Sequence, residues 1–571
     1  MKTLLKTSLV IIVITTLGIY LAISPEDPPA SQLFINAHVL TMNADTPLAE
    51  AVAVEGDRIL AVGSNEAILA LKNGSSIIHD LKGKTLIPGI IDAHGHFPGS
   101  GLVALTTDLS SPPVGQVTNI PQLQEKLRQQ AANTPPGEWV IGFAYDDTLL
   151  SEKQHPTRAQ LDAVSTEHPV LAIHVSGHMS VANSLGLEMA GYDENTPNPA
   201  GGIIVKDSNG QLTGLLEEKA HQELAYHAMD LSLIDFYHIL NFATEEYASM
   251  GVTTAQSGAA DTSTIQGLSM ASKLGLIPFR LELWPYYDML GEDILSGEFD
   301  LEDFNSDRVR TRTIKIGADG SIQGFTGYLS HPYHTPFRGD EDYRGYPIMS
   351  REKLTDWVTR FHQAGFQMAI HGNGDAAIDD ILYAFEQAQI EHPAEDPRLI
   401  LIHSQMARDD QLDKMKQLGV TPSFFSAHTY YWGDRHRDIF MGPERAMRMS
   451  PAHSAEERQL RYSVHLDTPV VPMNPMLLVW STVNRLSSGD QVIGEEQRVP
   501  PMSALRAITI DAAWQIFKEE ELGSIEVGKL ADLVVLDGDP LVNPEAIREI
   551  QVLQTFVGGV SIFKRTSDQG Y

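Results

Sequence analysis

The sequence predicts an α/β protein with three parts: a (β/α)8 TIM-like barrel, a small β-sandwich domain formed from both chain ends, and a long insertion after the first barrel strand. Three observations support this. Apolar, β-rich runs alternate with amphipathic stretches of helical spacing through the middle of the chain, the pattern of parallel strands covered by helices. Short strands separated by turn residues occur at both ends. A segment at about 101–242 separates the first two barrel strands, so it must pack over or beside the barrel.

The small β domain is predicted from strand patterns at the two ends of the chain. The segments LFINAHVLTMN, AVAVEGDRILAVG and SIIHDLKGKTLIPG have the composition of short strands separated by turns. A similar pattern returns in ADLVVLDGDP, REIQVLQTFVGG and VSIFKR. We therefore expect residues 31–86 and 511–571 to form one β-sandwich domain.

Residues 87–510 are predicted to form the barrel. The insertion at about 101–242 contains two further candidate strands, in WVIGFAYDD and VLAIHVSGHMSVANS. Nearly every barrel strand ends in a polar or ionisable residue, and the carboxyl ends of barrel strands form the active-site face. The eight candidate barrel strands lie in IPGIIDAHGH, GVTTAQS, FRLELW, TIKIGADG, FQMAIHGNGD, LILIHSQ, VTPSFFSAH and YSVHLDTP.

The first residues, 1–30, predict export. Lys2 and Lys6 precede an uncharged apolar run from about Ser8 to Ile23, which is the layout of a secretory signal. The run nearly reaches the length of a short membrane-spanning helix, so cleavage and retention as an N-terminal anchor are both open. The protein is therefore expected in the periplasm or outside the cell, either free or attached to the membrane.

The composition excludes several classes of function. Lysine and arginine number 41 against 74 aspartate and glutamate residues, a formal net charge of −33, which would repel nucleic acid phosphates. We therefore expect no nucleic-acid partner and attribute the acidity to solubility or a saline habitat. Because the chain has no cysteine, a metal would be held by histidine, carboxylate or a modified lysine.

Histidines and one aspartate at strand ends predict a metal site. His94 and His96 are two residues apart, so their side chains point the same way from a strand end. Alone, such a pair fits exposed or hydrogen-bonded histidines as well as it fits a pair of metal ligands. However, His371 ends the apolar run FQMAI, His403 ends LILI, and Asp467 follows YSVHL. A barrel would bring these four strand ends around one mouth.

This set of residues favours metal-dependent hydrolysis. Neutral imidazoles and a carboxylate suit zinc or a similar divalent ion, which lowers the pKa of a bound water toward about 7 and supplies hydroxide as nucleophile. Asp467 is then the predicted proton shuttle, because a carboxylate beside that water can take its proton and pass it to a leaving amine. We expect a small-molecule amide, N-acyl or cyclic amide substrate, cleaved at a carbon–nitrogen bond.

The motifs resemble those of the amidohydrolase superfamily of metal-dependent hydrolases over nearly the whole chain after the leader. The segments PGIIDAHGH and GSIEVGKLADLVVLD are similar to that superfamily. The segments HVSGHMSVANS, PAGGIIVKDSNGQLTGLLEE, TIKIGADGSIQGFTGYL and HGNGD resemble its amidohydrolase 3 branch. The resemblance implies a barrel whose strand-end histidines and aspartate surround one or two metal ions.

The resemblance also implies a further metal ligand, Lys315 in TIKIGADG. Members with two metals carboxylate a lysine to bridge the ions. The alternative is a charge-paired or positioning lysine, with one metal held by some of the other ligands. The sequence leaves the number of ions open.

Four residues are predicted at lower priority to bind the substrate. His178 and Asn183 lie in a motif of the insertion, and His178 could reach the mouth to polarise a carbonyl. Asp319 follows Lys315 closely enough to share its loop, and Arg485 could recognise an anionic group. The alternatives are a structural role for His178, a turn-forming role for Asp319 and an ordinary salt bridge for Arg485. Glu217 and Glu218 are expected to form a solvated helix start, because adjacent residues on a helix point apart.

Other functions are compatible with the same barrel. Ester hydrolysis or deamination could occur at the same site, and a binding protein could retain the barrel without catalysis. The complete set of polar strand ends favours an enzyme over a binding protein. Substrate identity depends on loop shape, and neither it nor the oligomeric state follows from the sequence.

Overall fold

The computed structural model describes residues 27–229 and 231–566. The predicted signal or anchor falls mainly on residues 1–26, which lie outside the described residues. In the part of the chain that the structure describes, no helix combines the length and apolar character needed to cross a membrane.

The described chain contains twenty-five strands. In chain order they are β1 (Gln32–Ile35), β2 (His38–Leu40), β3 (Leu48–Ala49), β4 (Ala51–Glu55), β5 (Arg58–Gly63), β6 (Ile77–Asp80), β7 (Thr85–Pro88), β8 (Ile90–Ile91), β9 (Thr107–Asp108), β10 (Val140–Tyr145), β11 (Val170–His174), β12 (Met179–Ala182), β13 (Gly202–Lys206), β14 (Leu212–Glu218), β15 (Val252–Ala260), β16 (Arg280–Pro285), β17 (Val309–Arg310), β18 (Thr313–Gly317), β19 (Gln367–Gly372), β20 (Ile400–His403), β21 (Thr421–Phe424), β22 (Ser463–Val464), β23 (Leu533–Leu536), β24 (Val552–Val557) and β25 (Val560–Lys564).

The described α-helices number seventeen. They are α1 (Asn65–Leu69), α2 (Ile120–Ala131), α3 (Arg158–Asp162), α4 (Ser184–Met189), α5 (Lys219–Ala228), α6 (Leu233–Ser249), α7 (Thr262–Lys273), α8 (Tyr287–Ser296), α9 (Arg351–Gln363), α10 (Asp375–Glu391), α11 (Asp409–Leu418), α12 (His428–Arg435), α13 (Gly442–Ala446), α14 (Ala452–Glu457), α15 (Pro475–Asn484), α16 (Pro501–Ala507) and α17 (Ile510–Gln515).

Two parallel sheets contain the eight expected barrel strands. Strands β8, β15, β16 and β17 form a four-stranded sheet in chain order, and β18 to β22 form a five-stranded sheet in chain order. The sheets meet at both edges: Tyr286 pairs with Lys315 in a parallel bridge, and the Asp467 N–H donates to the His94 carbonyl at 3.3 Å. Within the described residues these bonds do not make a closed ladder. The structure therefore has a parallel α/β fold without a barrel closed by hydrogen bonds.

Amphipathic helices pack on these sheets and fix the strand ends. Helix α9 begins after Ser350, whose hydroxyl accepts the Lys353 N–H, and it buries Leu354, Trp357 and Phe361. These apolar residues lie on one helix face, because residues three to four apart are neighbours on a helix. The helix packs on α10 and β19, and β19 ends at the functional site. Packing far from the mouth thus sets the position of the side chains there.

Both chain ends contribute to one six-stranded sheet. Its order is β25-β24-β23-β7-β2-β3, and β23 runs antiparallel to β7 with Val534 opposite Ile87. A second sheet, β5-β4-β1-β6, shares an apolar cluster with the first that includes Phe34, Val52 and Phe556. Segments from the N-terminal and C-terminal parts of the described chain are therefore joined through main-chain pairing and a common core.

The insertion contains a sheet of its own, in the order β13-β14-β12-β11-β10-β9. Two separate apolar clusters pack within it, one including Leu127 and Val140 and the other Leu171 and Leu216. Strand β14 ends at Glu218, next to the start of β12. The insertion is thus folded, and its strand ends present polar side chains.

Candidate metal centre

Two histidines and one aspartate converge where the two parallel sheets meet. The Nε2 atoms of His94 and His96 lie 3.4 and 3.2 Å from Oδ1 of Asp467. These three residues form a group whose ligand atoms could hold one metal ion. His94 is fully buried, whereas the His96 side chain is 35% exposed, so the group opens to solvent on the His96 side.

The ring nitrogens of His94 and His96 that face away from Asp467 already have partners. His94 Nδ1 lies 2.6 Å from Oε1 of Gln256, and because an amide oxygen only accepts, Nδ1 donates. His96 Nδ1 donates in the same way to the carbonyl of Gly258 at 2.8 Å. With Nδ1 donating, Nε2 is the nitrogen of each ring that a metal ion could use, and Nε2 of His94 also lies 2.8 Å from Nζ of Lys315.

His371 and His403 extend the group. His403 Nε2 lies 3.2 Å from His371 Nδ1 and 3.9 Å from Oδ2 of Asp467. The outer nitrogens are again occupied, because His371 Nε2 faces the Gly320 carbonyl at 3.3 Å and His403 Nδ1 contacts His465 at 3.0 Å. His403 thus lies next to the group of His94, His96 and Asp467, and His371 adjoins it through His403.

The charge states fit a cation at this point. Burial lowers the pKa of His94, His371 and His403 well below the ordinary value, so these rings are neutral. Burial alone would raise the pKa of Asp467, but the neighbouring His96, His403 and His94 hold it well below its usual range. Oδ1 of Asp467 is buried without a hydrogen-bond partner among the described residues. Lone pairs facing an ionised, unpartnered carboxylate are the donor set of a divalent ion.

Lys315 lies in the same group. Its side chain is buried, and Nζ lies 2.8 Å from Nε2 of His94. Burial lowers the pKa of Lys315 to about 7, against the opposing charge of Asp467. At neutral pH a substantial fraction of this amine is therefore uncharged and nucleophilic.

The backbone is strained at two of the candidate ligands. His403 has φ 69° and Asp467 has φ 59°, both in the left-handed region that side chains other than glycine and asparagine rarely adopt. Such strain persists only where the surrounding structure fixes it, and it clusters at functional sites.

Sequence reasoning missed Gln256 and His465. Gln256 is held by two further bonds, from the Gly95 N–H at 3.1 Å and to the Ala93 carbonyl at 3.2 Å. His465 Nδ1 contacts the Ser423 hydroxyl at 2.9 Å. Their positions at strand ends, in GVTTAQS and YSVHLDTP, are the only signal that could have identified them.

Loss of the Gln256 acceptor should weaken metal binding. In Gln256→Leu, Nδ1 of His94 loses its acceptor, and we expect metal affinity to fall about 10–100-fold. Gln256→Glu, which keeps an acceptor oxygen, is the control and should bind more tightly than the leucine variant. Chelator competition measures both, and equal affinities in wild type and Gln256→Leu would contradict this role.

The insertion brings His178 and Glu218 to the mouth. The His178 ring packs edge-on against His371 with centroids 5.3 Å apart, and its Nδ1 lies 2.8 Å from Oε2 of Glu218. The expectation of a solvated helix start is wrong: Glu217 and Glu218 end β14 and are each 1% exposed. Being on a strand, they point to opposite faces, and Glu217 pairs with Arg338.

The remaining three predicted residues have structural contacts. Oxygens of Asp319 accept the N–H groups of Tyr328, Asn373 and Gly374, so this carboxylate joins two loops beside the site. Burial raises the pKa of Asp319 to about 7 even with these donors.

Asn183 and Arg485 lie away from the metal group. The Asn183 side chain caps α4 and bonds backbone groups of the insertion, including the Val170 N–H and the His168 carbonyl. Arg485 is 1% exposed and donates to the carbonyls of Met449, Ser450 and Ile493. These contacts hold both side chains on main-chain groups, and the expected contact with substrate stays a prediction.

Comparisons with known proteins agree with this geometry. A family profile described as "Amidohydrolase family" matches residues 78–563. The N-substituted formamide deformylase of Arthrobacter pascens is 30% identical over 542 residues, covering 94% of this chain and 98% of that protein. An uncharacterized metal-dependent hydrolase from Pyrococcus horikoshii has a similar structure, with a TM-score of 0.71, 25% identity and coverage of 90% and 99%. One from Pyrococcus furiosus has a TM-score of 0.69 at 24% identity, covering 90% and 100%.

Proposed function

The chain belongs to the amidohydrolase family of metal-dependent hydrolases, and on this premise we propose that it hydrolyses the carbon–nitrogen bond of a small amide, N-acyl or cyclic amide. One observation carries the proposal: His94, His96 and Asp467 place ligand atoms within reach of one ion, and the outer ring nitrogens of both histidines are already bonded. A binding protein would have no need for this arrangement. The two parallel sheets are proposed to act as one (β/α)8 barrel around it.

We propose zinc, held by His94, His96, His371, His403 and Asp467. Imidazole and carboxylate donors suit zinc, and no cysteine is present to add a thiolate. When bound, such an ion supplies Lewis-acid chemistry, lowering the pKa of water and polarising a carbonyl. The chain's own residues then have to position the substrate and move protons.

Lys315 is proposed to carry a carboxyl group, which would supply a ligand for a second ion. Its uncharged amine can attack carbon dioxide, forming a carbamate and releasing one proton. A divalent cation bound beside the histidines would favour the product, because the carbamate would add an anionic oxygen ligand for it. This modification decides between one ion and two.

Asp467 is proposed to handle the proton. Its carboxylate stays ionised because its pKa is held well below the usual range, so it can accept a proton from the attacking water. The same oxygen then returns that proton to the leaving amine. The exposed fraction of the side chain, 12%, is enough for contact with substrate.

His178 is proposed to contact the substrate amide, with Glu218 as the residue that positions it. Because Nδ1 of His178 faces the Glu218 carboxylate, Nε2 is the ring nitrogen left for the substrate. Gly320 packs against Glu218 so closely that an added Cβ would lie 2.1 Å from its Oε1. A fully buried carboxylate in so tight a site is consistent with a dedicated positioning role.

Loss of the Glu218 charge should lower activity through His178. We expect Glu218→Gln and His178→Asn each to reduce kcat/KM by about tenfold or more, and the double variant to lose little more than either. Glu217→Gln, the adjacent buried glutamate that faces Arg338, is the matched control and should stay close to wild type. Additive losses in the double variant would show that the two residues act separately.

A substrate panel tests the proposed reaction. The zinc-loaded protein should release amines from N-substituted formamides and N-acyl amines faster than it cleaves matched esters or deaminates aminopurines. The similarity to a formamide deformylase supports this choice of amides. Preference for the esters or aminopurines would replace the proposed reaction with the corresponding alternative.

Export is also a proposal. It depends on Lys2, Lys6 and the apolar run that follows them in the sequence. The proposed partner is a small-molecule substrate, and the formal net charge of −33 argues against nucleic acid.

A further inference from the structure

A large groove opens beside His96, between the end of α5, the start of α6 and the segment after β15. Its volume is about 1100 Å³, at the upper end of the range for small-molecule sites. We call it the α5–α6 groove and define it by six of its lining residues: His96, Tyr226, Leu231, Leu233, Phe236 and Gly258.

The walls of the α5–α6 groove combine exposed apolar side chains with polar ones that include Glu223 and His227. Leu233 is 89% exposed and Tyr226 68% exposed, and Leu231 is also open to solvent. Single exposed apolar residues are ordinary, but a contiguous group beside a cavity marks a surface that binds something apolar. Among the described lining residues there is no lysine or arginine, so nothing there would pair with an anionic group.

The groove is continuous with the candidate metal centre through His96. The same side chain that lines the groove places Nε2 3.2 Å from Oδ1 of Asp467. Its outer nitrogen donates to the carbonyl of Gly258, another lining residue. A molecule with its amide at Asp467 would therefore extend its remaining atoms along this groove.

We propose that the α5–α6 groove binds a long, uncharged alkyl or acyl chain, so that the substrate is an amphiphilic amide. This rests on the proposed function for the position of the amide, and it adds the class of substrate. A formyl or acetyl group alone would leave nearly all of the groove empty. Because the groove includes His96, a chain of the substrate is favoured as its occupant over a second protein, which would cover the entrance to the metal centre.

Binding of an uncleaved amide mimic tests the proposal independently of turnover. We expect N-octyl methanesulfonamide to bind at least about tenfold more tightly than the N-butyl compound by calorimetry, because four more methylenes leave water. In a parallel assay, kcat/KM for acyl anilides should rise from acetyl to octanoyl. The two assays separate a chain on the nitrogen from a chain on the acyl side.

Leu233→Ser should reduce the octyl-to-butyl affinity ratio about threefold or more. Val542→Ser, which replaces another exposed apolar residue (78% exposed) outside the groove, is the matched control and should keep the wild-type ratio. Equal affinity for both compounds, with no rise in kcat/KM from acetyl to octanoyl anilides, would overturn the proposal even if short amides are hydrolysed. Equal affinity combined with a dimer that Leu233→Ser dissociates, measured by light scattering, would identify the groove as a self-interface. If long chains bind but no amide is cleaved, the proposed function fails and the groove assignment stands.

Discussion

Asp467→Asn should reduce kcat/KM by about 10²–10⁴-fold while the metal stays bound. Asparagine has no carboxylate to accept a proton from water, so both the attack and the protonation of the leaving amine lose their proton carrier. The four imidazoles remain, and they can hold an ion without the carboxylate. Steady-state kinetics and elemental analysis of the same preparation measure the two effects together.

The control for Asp467→Asn should be another aspartate with a positive φ angle. Asp490 has φ 58°, nearly the 59° of Asp467, and it lies outside the metal group. Asp490→Asn should keep wild-type activity, because asparagine tolerates the left-handed conformation. Unchanged turnover in Asp467→Asn with a full complement of metal would remove Asp467 from the mechanism.

Lys315→Met should have the second-largest effect. Without an amine the chain cannot form a carbamate, so we expect the bound metal to fall by one ion per chain and kcat/KM to fall by about 10²-fold or more. Wild-type protein reconstituted without carbon dioxide should show the same low metal content and recover when bicarbonate is added. Because the pKa of Lys315 is lowered to about 7, recovery at a fixed concentration of dissolved carbon dioxide should be faster above pH 7, where the amine is uncharged.

Lys529→Met is the control for loss of a buried lysine. Lys529 is also buried, but it donates to the Ser524 hydroxyl at 2.6 Å in the C-terminal part of the chain. Its replacement should alter stability without changing the metal content. If Lys315→Met keeps the wild-type number of ions, Lys315 is a positioning lysine and the site holds one metal.

The strand ends could be predicted from sequence because parallel strands impose a simple rule. Each of the eight segments contains a strand, and the polar residue that follows it is placed at one edge of a sheet. His371 and His403 follow this rule directly, and so do His94 and His96. The order of the strands was enough to predict that these histidines lie close together.

The partners that hold these ligands could not be predicted in the same way. Gln256 reaches His94 from a strand 162 residues later, and Glu218 reaches His178 across a folded insertion. Such contacts depend on the register and twist of neighbouring strands, which a local pattern does not contain. The mistaken expectation for Glu218 shows this, because helical spacing was assumed where a strand ends.

Asn183 and Arg485 show that residue type and position near a motif do not establish a role in substrate binding. Both have side chains suited to substrate recognition, but these side chains form hydrogen bonds with main-chain groups. Asn183 caps a helix, and Arg485 donates to three carbonyls. A polar residue near a motif is therefore weak evidence for a binding role until its hydrogen-bond partners are known.

We expect His94, His96, His371, His403 and Asp467 to hold a catalytic divalent ion. Elemental analysis of the full chain, purified without chelator and assayed for amide hydrolysis, tests it most directly. We predict at least about one divalent ion per chain, with activity lost when the ion is removed and regained when zinc is returned. Protein that hydrolyses amides with less than about one-tenth of an ion per chain would contradict the claim.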